Sequence, residues 1–198
     1  SIKYKNKSLS KNLKLNIIKE QSESKITNKL VLKNISINSK LIKKDDVFFA
    51  IKGKRFDGNR YVGEALKKRS SLVIVNRLNK DYPALKQIKV KNTLSFLTKC
   101  SSIFRENINT KIISITGSCG KTTLKEMMGL SLKEISKTTY SPKSFNNKYG
   151  VPLSLFNLKQ NDDFGVLEVG MDKKGEIDNL TKIIKPDLGI ITNISYAH

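Results

Sequence analysis

The stretch from Ile112 to Thr123 reads Ile112-Ile-Ser-Ile-Thr-Gly-Ser-Cys-Gly-Lys-Thr-Thr123 and restricts the possible folds more than any other segment. Ile112, Ile113 and Ile115 predict a buried strand, and the residues from Thr123 to about Ile135 predict an amphipathic helix. Gly117 and Gly120 therefore fall at a strand-to-helix turn, where a missing side chain lets the backbone approach a ligand closely. The helix that follows presents unpaired N–H groups and the positive end of its dipole to the same loop. Lys121 adds a full positive charge, and the Thr122 hydroxyl is placed to meet a magnesium ion. Gly117, Ser118, Cys119, Gly120, Lys121, Thr122 and Thr123 thus read as a cradle for the phosphates of a nucleoside triphosphate. The other reading is a glycine-rich turn with a lysine behind it by chance. Strand, turn, Lys-Thr-Thr and helix in the required order argue against it. The spacing G-S-C-G-K-T is shorter than the general G-x-x-x-x-G-K-[ST] pattern, which would need glycine where Ile115 stands.

Around this loop the chain alternates strand and helix patterns. Before it, Val47–Ile51, Leu72–Val75 and Ile88–Val90 read as strands, and 52–58 as a turn-rich loop. Tyr61–Lys68 and Thr93–Arg105 read as helices, the first with Val62, Ala65 and Leu66 on one face, the second with Leu94, Leu97 and Ile103 among its buried positions. After it come a serine- and asparagine-rich loop, a helix beginning at Gly150, a strand at Phe164–Val169, a helix at Glu176–Ile184 and a strand at Leu188–Asn193. The fold expected is α/β: a small substrate-binding domain over 1–107, then a parallel-sheet phosphate-loop domain over 111–198. No firm structure is assigned before Leu30, where apolar residues (Leu9, Leu13, Leu15, Ile17, Ile18) recur only weakly. The second domain has no helix after its last strand, so it is expected to be truncated.

Composition narrows the function classes. The 198 residues carry 38 Lys and Arg against 17 Asp and Glu, a formal charge of +21. Such a charge suits nucleic acid, an anionic membrane surface or an anionic nucleotide. The lysines are spread along the chain rather than massed, so no dedicated nucleic-acid role is expected. Cys100 and Cys119, the two cysteines, have neither paired spacing nor metal-ligand company, which suits a reducing cytoplasm. No apolar run is long enough for a signal peptide or a membrane span. A cytoplasmic location is expected.

Further candidates lie where ligands bind in α/β sheets, beyond the carboxyl ends of strands. Glu168 ends the Phe164–Val169 strand and can hold magnesium, directly or through water; alternatively it is a strand-end glutamate facing solvent. His198, the only histidine, follows the next strand and is either a metal ligand or structural. Ser144-Phe-Asn-Asn-Lys-Tyr-Gly150 is by itself a polar loop.

Together these segments resemble the Mur ligases. Thr116-Gly-Ser-Cys-Gly-Lys-Thr-Thr123, Ser144-Phe-Asn-Asn-Lys-Tyr-Gly-Val-Pro152, Leu167-Glu-Val-Gly170 with Gly175-Glu176, and Thr192-Asn-Ile-Ser-Tyr-Ala-His198 occur in that family's order. The Asn-Asn-x-x-Gly-Val-Pro element and Asp45-Asp-Val-Phe-Phe-Ala-Ile-Lys-Gly-Lys-Arg-Phe-Asp-Gly58 are similar to the branch that adds D-alanyl-D-alanine to UDP-N-acetylmuramoyl-tripeptide. The resemblance covers roughly residues 30 to 198. It implies an ATP-dependent amide ligase of peptidoglycan precursor synthesis, with Lys121 on the outer ATP phosphates and Mg2+ beside them, working through an acyl phosphate; separately, a monomer is expected. It places Lys121, Glu168 and His198 in catalysis, and Thr122, Glu168 and His198 at the magnesium sites. Asn146 and Asn147 would line the substrate side, and Ser39 would belong to the uridine-nucleotide pocket. Three positions depart from the pattern: Lys40 stands where arginine is usual, Asn59 replaces histidine, and Cys119 replaces Asn or Ser. A lysine lacks the planar two-pronged fork of arginine. Family members also continue well beyond this length, so the chain is expected to bind the UDP-sugar peptide without ligating alone. Alternative readings are a folylpolyglutamate-type or tripeptide-forming relative, a non-enzymatic nucleotide-binding module, or a basic nucleic-acid binder.

Overall fold

The computed structural model describes residues 12–24, 26, 30–53, 56–170 and 174–195. The chain divides into two compact units, Ser1–Phe104 and Arg105–His198.

The first unit holds four parallel strands in sequential order: β1 (Ile35–Ser36), β2 (Val47–Phe49), β3 (Leu72–Val75) and β4 (Gln87–Lys89). Every residue of β2 and β3 is buried, as expected of a parallel sheet covered on both faces. On one face Phe48, Ala50, Val73 and Val75 meet Val62 and Ala65 of α2 (Val62–Lys67), with Leu66 and Tyr82 packed alongside. On the other side of the pleat, Phe49 stacks on Phe96 of α3 (Thr93–Glu106), ring centroids 6.2 Å apart. The buried stripe of α3 runs through Thr93, Phe96, Leu97, Cys100 and Phe104. Of the three positions expected inside, only Leu97 is fully buried; Leu94 and Ile103 are half-buried at the flanks of that stripe. Burial pushes the Cys100 thiol up to about 12, which keeps it protonated and inert.

The segment before Leu30 contains a helix, α1 (Leu13–Ser22), that the sequence does not announce. Leu13, Leu15, Ile17 and Ile18 are all buried, yet their spacing spreads over more than one helix face. Glu23 closes it in the left-handed region (φ 53°), and the N–H groups of Glu23 and Ser24 return to the carbonyls of Glu20 and Lys19.

The second unit has four parallel strands in the order β6-β7-β5-β8: β5 (Lys111–Thr116), β6 (Thr138–Tyr140), β7 (Phe164–Glu168) and β8 (Leu188–Ile191). The crossover from β5 to β6 passes over β7, and that from β7 to β8 passes over β5. Right-handed connections then place α4 (Lys121–Ile135) on one face and both α5 (Gly150–Asn157) and α6 (Glu176–Ile184) on the other. The contacts agree: α4 packs on β5, β6 and β7, while α5 touches α6 and β7. Leu124, Met128 and Leu132 of α4 seat on Ile113, Ile115 and Val166 of the sheet. Arg105 satisfies carbonyls that α6 leaves open at its end, reaching Ile184 at 2.8 Å and Lys185 at 2.9 Å. Helix α4 begins at Lys121, two residues before the expected start, because Gly120 in the left-handed region opens the helix directly from the turn.

Candidate functional site

Strands β5 and β7 are neighbours whose crossovers leave in opposite directions, so a crevice opens at their carboxyl ends. The Gly117–Thr123 loop enters it from β5. Gly117 has φ +135°, and a Cβ there would stand 2.1 Å from the Thr192 hydroxyl, so geometry and space both require glycine. Gly120, at φ +79°, has open space around it and is required by its backbone alone.

The segment after β8 braces this loop. Asn193 accepts the Ser118 N–H at its carbonyl (3.1 Å) and the Cys119 N–H at its side-chain oxygen (2.9 Å). The Thr192 hydroxyl donates to the Cys119 carbonyl at 2.6 Å, and the Ser118 hydroxyl bonds both the N–H and the carbonyl of Ser195 at 3.0 Å. Thr192, Asn193 and Ser195 were not candidates from sequence. Their signals are the Thr192–His198 segment within the family resemblance and their position, since β8 pairs with β5 and ends at the same edge. With the N–H groups of Ser118 and Cys119 turned toward Asn193, the open first turn of α4 is left to face an anion. Lys121 folds over the loop, its ammonium donating to the carbonyls of Gly117 (2.6 Å) and Ser118 (3.2 Å).

Glu168 stands beside the loop on β7. It is 1 % exposed, so the solvent-facing alternative does not hold. Each carboxylate oxygen has its own donor: Thr122 Oγ1 at 2.8 Å to one, Asn146 Nδ2 at 2.8 Å to the other. Ser141 Oγ accepts the Glu168 N–H at 3.2 Å, and the Gly170 N–H bonds the Asn146 carbonyl at 2.7 Å. A Cβ on Gly170 would come within 2.9 Å of the Asn146 amide carbon, so this glycine makes room for that side chain. Thr122, Glu168 and Asn146, far apart in sequence, thus converge on one buried carboxylate.

The other candidates lie elsewhere. Asn147 turns its side-chain oxygen back to the N–H groups of Tyr149 and Gly150, both at 3.0 Å, at the start of α5. The Cys119 side chain is exposed, and Thr123 is exposed on the first turn of α4. His198 lies outside the described residues. Ser39 belongs to the first unit, where it is buried and its hydroxyl donates to Glu64 at 2.8 Å. That bond, with help from Lys68, holds the Glu64 carboxyl below its ordinary value. In the same unit a cavity of about 520 Å³ is lined by Asn59, Arg60, Arg77, Lys80 and Tyr82, among others. Asn59, one of the departures noted above, donates from its amide to Asp57 at 2.7 Å, while its oxygen is buried without a partner among the described residues. The Asn59 bond, with Arg77 nearby, keeps the Asp57 carboxyl below its ordinary value.

Comparison with known proteins supplies the family context. Residues 31–105 match the model described as the Mur ligase family, catalytic domain, and residues 115–198 match the Mur ligase middle domain. A UDP-N-acetylmuramoyl-tripeptide–D-alanyl-D-alanine ligase of Rickettsia prowazekii is 36% identical over 173 residues, which cover 87% of this chain and 38% of the relative. The ligase of that name from Bacillus subtilis is 32% identical, with 85% of this chain and 37% of the relative covered. The chain therefore spans a little over a third of the length of these curated relatives. Among solved structures, MurF from Acinetobacter baumannii superposes with a TM-score of 0.78 at 32% identity, covering 92% of this chain and 41% of that one. MurF ligase from Thermotoga maritima in complex with ADP gives 0.69 at 32% identity, covering 87% and 40%.

Proposed function

The chain belongs to the Mur ligase family, and we propose that it serves the ATP-dependent joining of D-alanyl-D-alanine to UDP-N-acetylmuramoyl-tripeptide in peptidoglycan precursor synthesis. The observation that carries this reading is the buried Glu168 carboxylate, held between Thr122 on the phosphate-loop helix and Asn146 on the Asn-Asn-x-x-Gly-Val-Pro segment. The first element belongs to triphosphate handling, and the second is the one that separates this branch from its relatives.

In this reaction a substrate carboxylate oxygen bonds to the γ-phosphorus of ATP as the bond to ADP breaks, giving an acyl phosphate. The amine of the dipeptide then attacks the acyl carbon, inorganic phosphate leaves, and the nitrogen gives up a proton as the amide forms. Two anions must meet in the first step, so positive charge at the transferring phosphoryl group lowers the barrier most. Lys121 is positioned to exchange the Gly117 and Ser118 carbonyls for phosphate oxygens, with the first-turn N–H groups of α4 beside it. The Asn193 brace holds the loop in the shape that aims those donors.

An all-oxygen donor pair, the Glu168 carboxylate and the Thr122 hydroxyl, fits magnesium, which prefers hard oxygen ligands and one or two carboxylates beside substrate phosphates. Glu168 and Thr122 would hold it, with His198 a further proposed ligand on the resemblance alone. When bound it would supply charge neutralisation at the phosphates. The first unit, with its basic cavity and the Ser39–Glu64 pair, is proposed to bind the uridine nucleotide.

The test is direct. The polypeptide made by its own cell is incubated with Mg–ATP, UDP-N-acetylmuramoyl-tripeptide and D-alanyl-D-alanine, and phosphate release and the amide product are followed. Phosphate release that requires both the tripeptide nucleotide and the dipeptide is expected. Release with another amine in place of the dipeptide would assign the chain to a different branch, and nucleotide binding without release would make it a non-catalytic module.

A further inference from the structure

A lysine lies wholly inside the second unit. Lys125 of α4 is 0 % exposed. Lysine side chains ordinarily lay their stems along the surface and keep the ammonium in water. Burying the charge is costly unless the ammonium is bonded, and an apolar residue of similar volume often serves packing as well or better. A lysine kept here must therefore be explained by what its ammonium reaches. It donates to the Lys143 carbonyl, and it pairs with Glu126 at 2.9 Å.

The Lys143 carbonyl is part of the segment that carries Asn146. Lys143 has φ +49°, a conformation uncommon for a residue with a side chain. The turn continues with the Phe145 N–H on the Pro142 carbonyl and the Asn146 N–H on the Ser144 carbonyl (2.8 Å). Beyond it, Asn146 is fixed by Gly170 and donates to Glu168. Helix α4 thus reaches the same carboxylate by two routes. Thr122 bonds it directly, and Lys125, three residues on and on the same face, holds the loop whose amide bonds the other oxygen.

We propose that Lys125 is a positioning residue: its buried ammonium pins residues 141–147 to α4 and so keeps the Asn146 amide on Glu168, fixing the rotation of the carboxylate. This rests on the reading of Glu168 as the magnesium-holding group. Groups that orient a metal-holding carboxylate typically change metal affinity by about 10- to 100-fold when removed.

The experiment uses the isotope-labelled chain and reads the Asn146 side-chain amide by NMR, its signals identified by their loss in Asn146→Ala. In the parent chain this amide is expected to be shifted from free asparagine and to exchange slowly with water. Lys125→Met, close in volume but uncharged, is expected to speed that exchange at least about tenfold. Lys125→Arg, which keeps a cation, is expected to restore most of the protection. Should Lys125→Met fail to fold, Lys125→Gln, whose amide stops short of the Lys143 carbonyl, is read in its place. Glu126→Ala separates the carbonyl bond from the ion pair and is expected to leave the Asn146 amide unchanged. An Asn146 amide as protected in Lys125→Met as in the parent would overturn the proposal, as would an equal loss in Glu126→Ala.

Nucleotide titration supplies the functional arm. Lys125→Met is expected to weaken ATP binding in magnesium about tenfold and to leave binding without magnesium within about twofold. Equal losses in both conditions would reduce Lys125 to a packing role and overturn the proposal. A parent chain whose ATP binding ignores magnesium would instead overturn the reading of Glu168, while the amide exchange still decides whether Lys125 holds Asn146.

Discussion

Sheet β1–β4 and sheet β5–β8 are both four parallel strands, yet the first runs in sequential order and the second runs β6-β7-β5-β8. Sequential order sends each connection the same way, so no two neighbouring strands part company at their carboxyl ends. In the second sheet β5 and β7 do part, and the crevice between them receives the glycine loop from one strand and Glu168 from the other. Polar side chains follow suit. In the first unit they close on one another, Ser39 on Glu64 and Asn59 on Asp57. In the second, Thr122 and Asn146 both close on one buried carboxylate. Similar layers therefore yield separate polar pairs in one case and a convergent carboxylate site in the other, and strand order makes the difference.

That contrast can be broken by mutation. Lys121→Ala should weaken Mg–ATP binding about 100-fold, the scale of losing charged hydrogen bonds to phosphate, with the thermal unfolding of the chain little changed. Binding within a few-fold of the parent, measured by calorimetry, would remove the site from the β5 loop. In the first unit, Gly58→Ala would drive a Cβ to 2.7 Å from the Ala50 carbonyl carbon, a backbone atom that cannot move aside cheaply. We expect a stability loss of about 2 kcal/mol or more, seen in denaturant titration, with Mg–ATP affinity unchanged. If affinity falls in step with stability, the ATP site is not confined to the second unit.

Glu168→Gln should sharpen the contrast within the second unit. It keeps the shape but removes the charge, so the magnesium concentration needed for half-maximal ATP binding should rise about tenfold. An unmoved magnesium titration would mean the carboxylate has a structural role only. The smallest effect concerns Asp187, which joins the start of β5 to the arginine that closes α6. The Ile112 N–H, then Lys111 and Arg105, hold its carboxyl below the ordinary value of 3.8. A depressed folded value means its stabilising contribution is complete above that pH and is lost as pH falls through the folded value. Asp187→Asn should therefore lower the melting temperature by a few degrees near neutrality, with the gap closing as the pH drops below 3.8. A constant gap across that range would show that the loss is one of hydrogen-bond geometry rather than charge.

Much of this was legible in order along the chain. Leu72–Val75 and Glu176–Ile184 carry unbroken patterns, an apolar run and a one-faced period, and fold as those patterns say. Helix α1 was missed because Leu13, Leu15 and Ile17 alternate like a strand while burial on several sides makes a helix acceptable. Thr192 and Asn193 lie in a segment that carries the resemblance, but their bracing role was not legible because a brace has no composition of its own. Their hydrogen bonds with Cys119 arise only once β8 lies against β5. Lys125 was invisible for a related reason: in a chain this rich in lysine, nothing local marks a buried one.

The sequence by itself determined the strand–glycine–helix unit, since Gly117, Gly120, Lys121 and Thr122 are neighbours along the chain and local backbone geometry suffices to make them a loop. Only the tertiary structure decided which distant side chains face that loop. Asn146, Glu168 and Asn193 come together through the strand order of a parallel sheet, and that order is set by crossovers and packing between segments far apart in sequence.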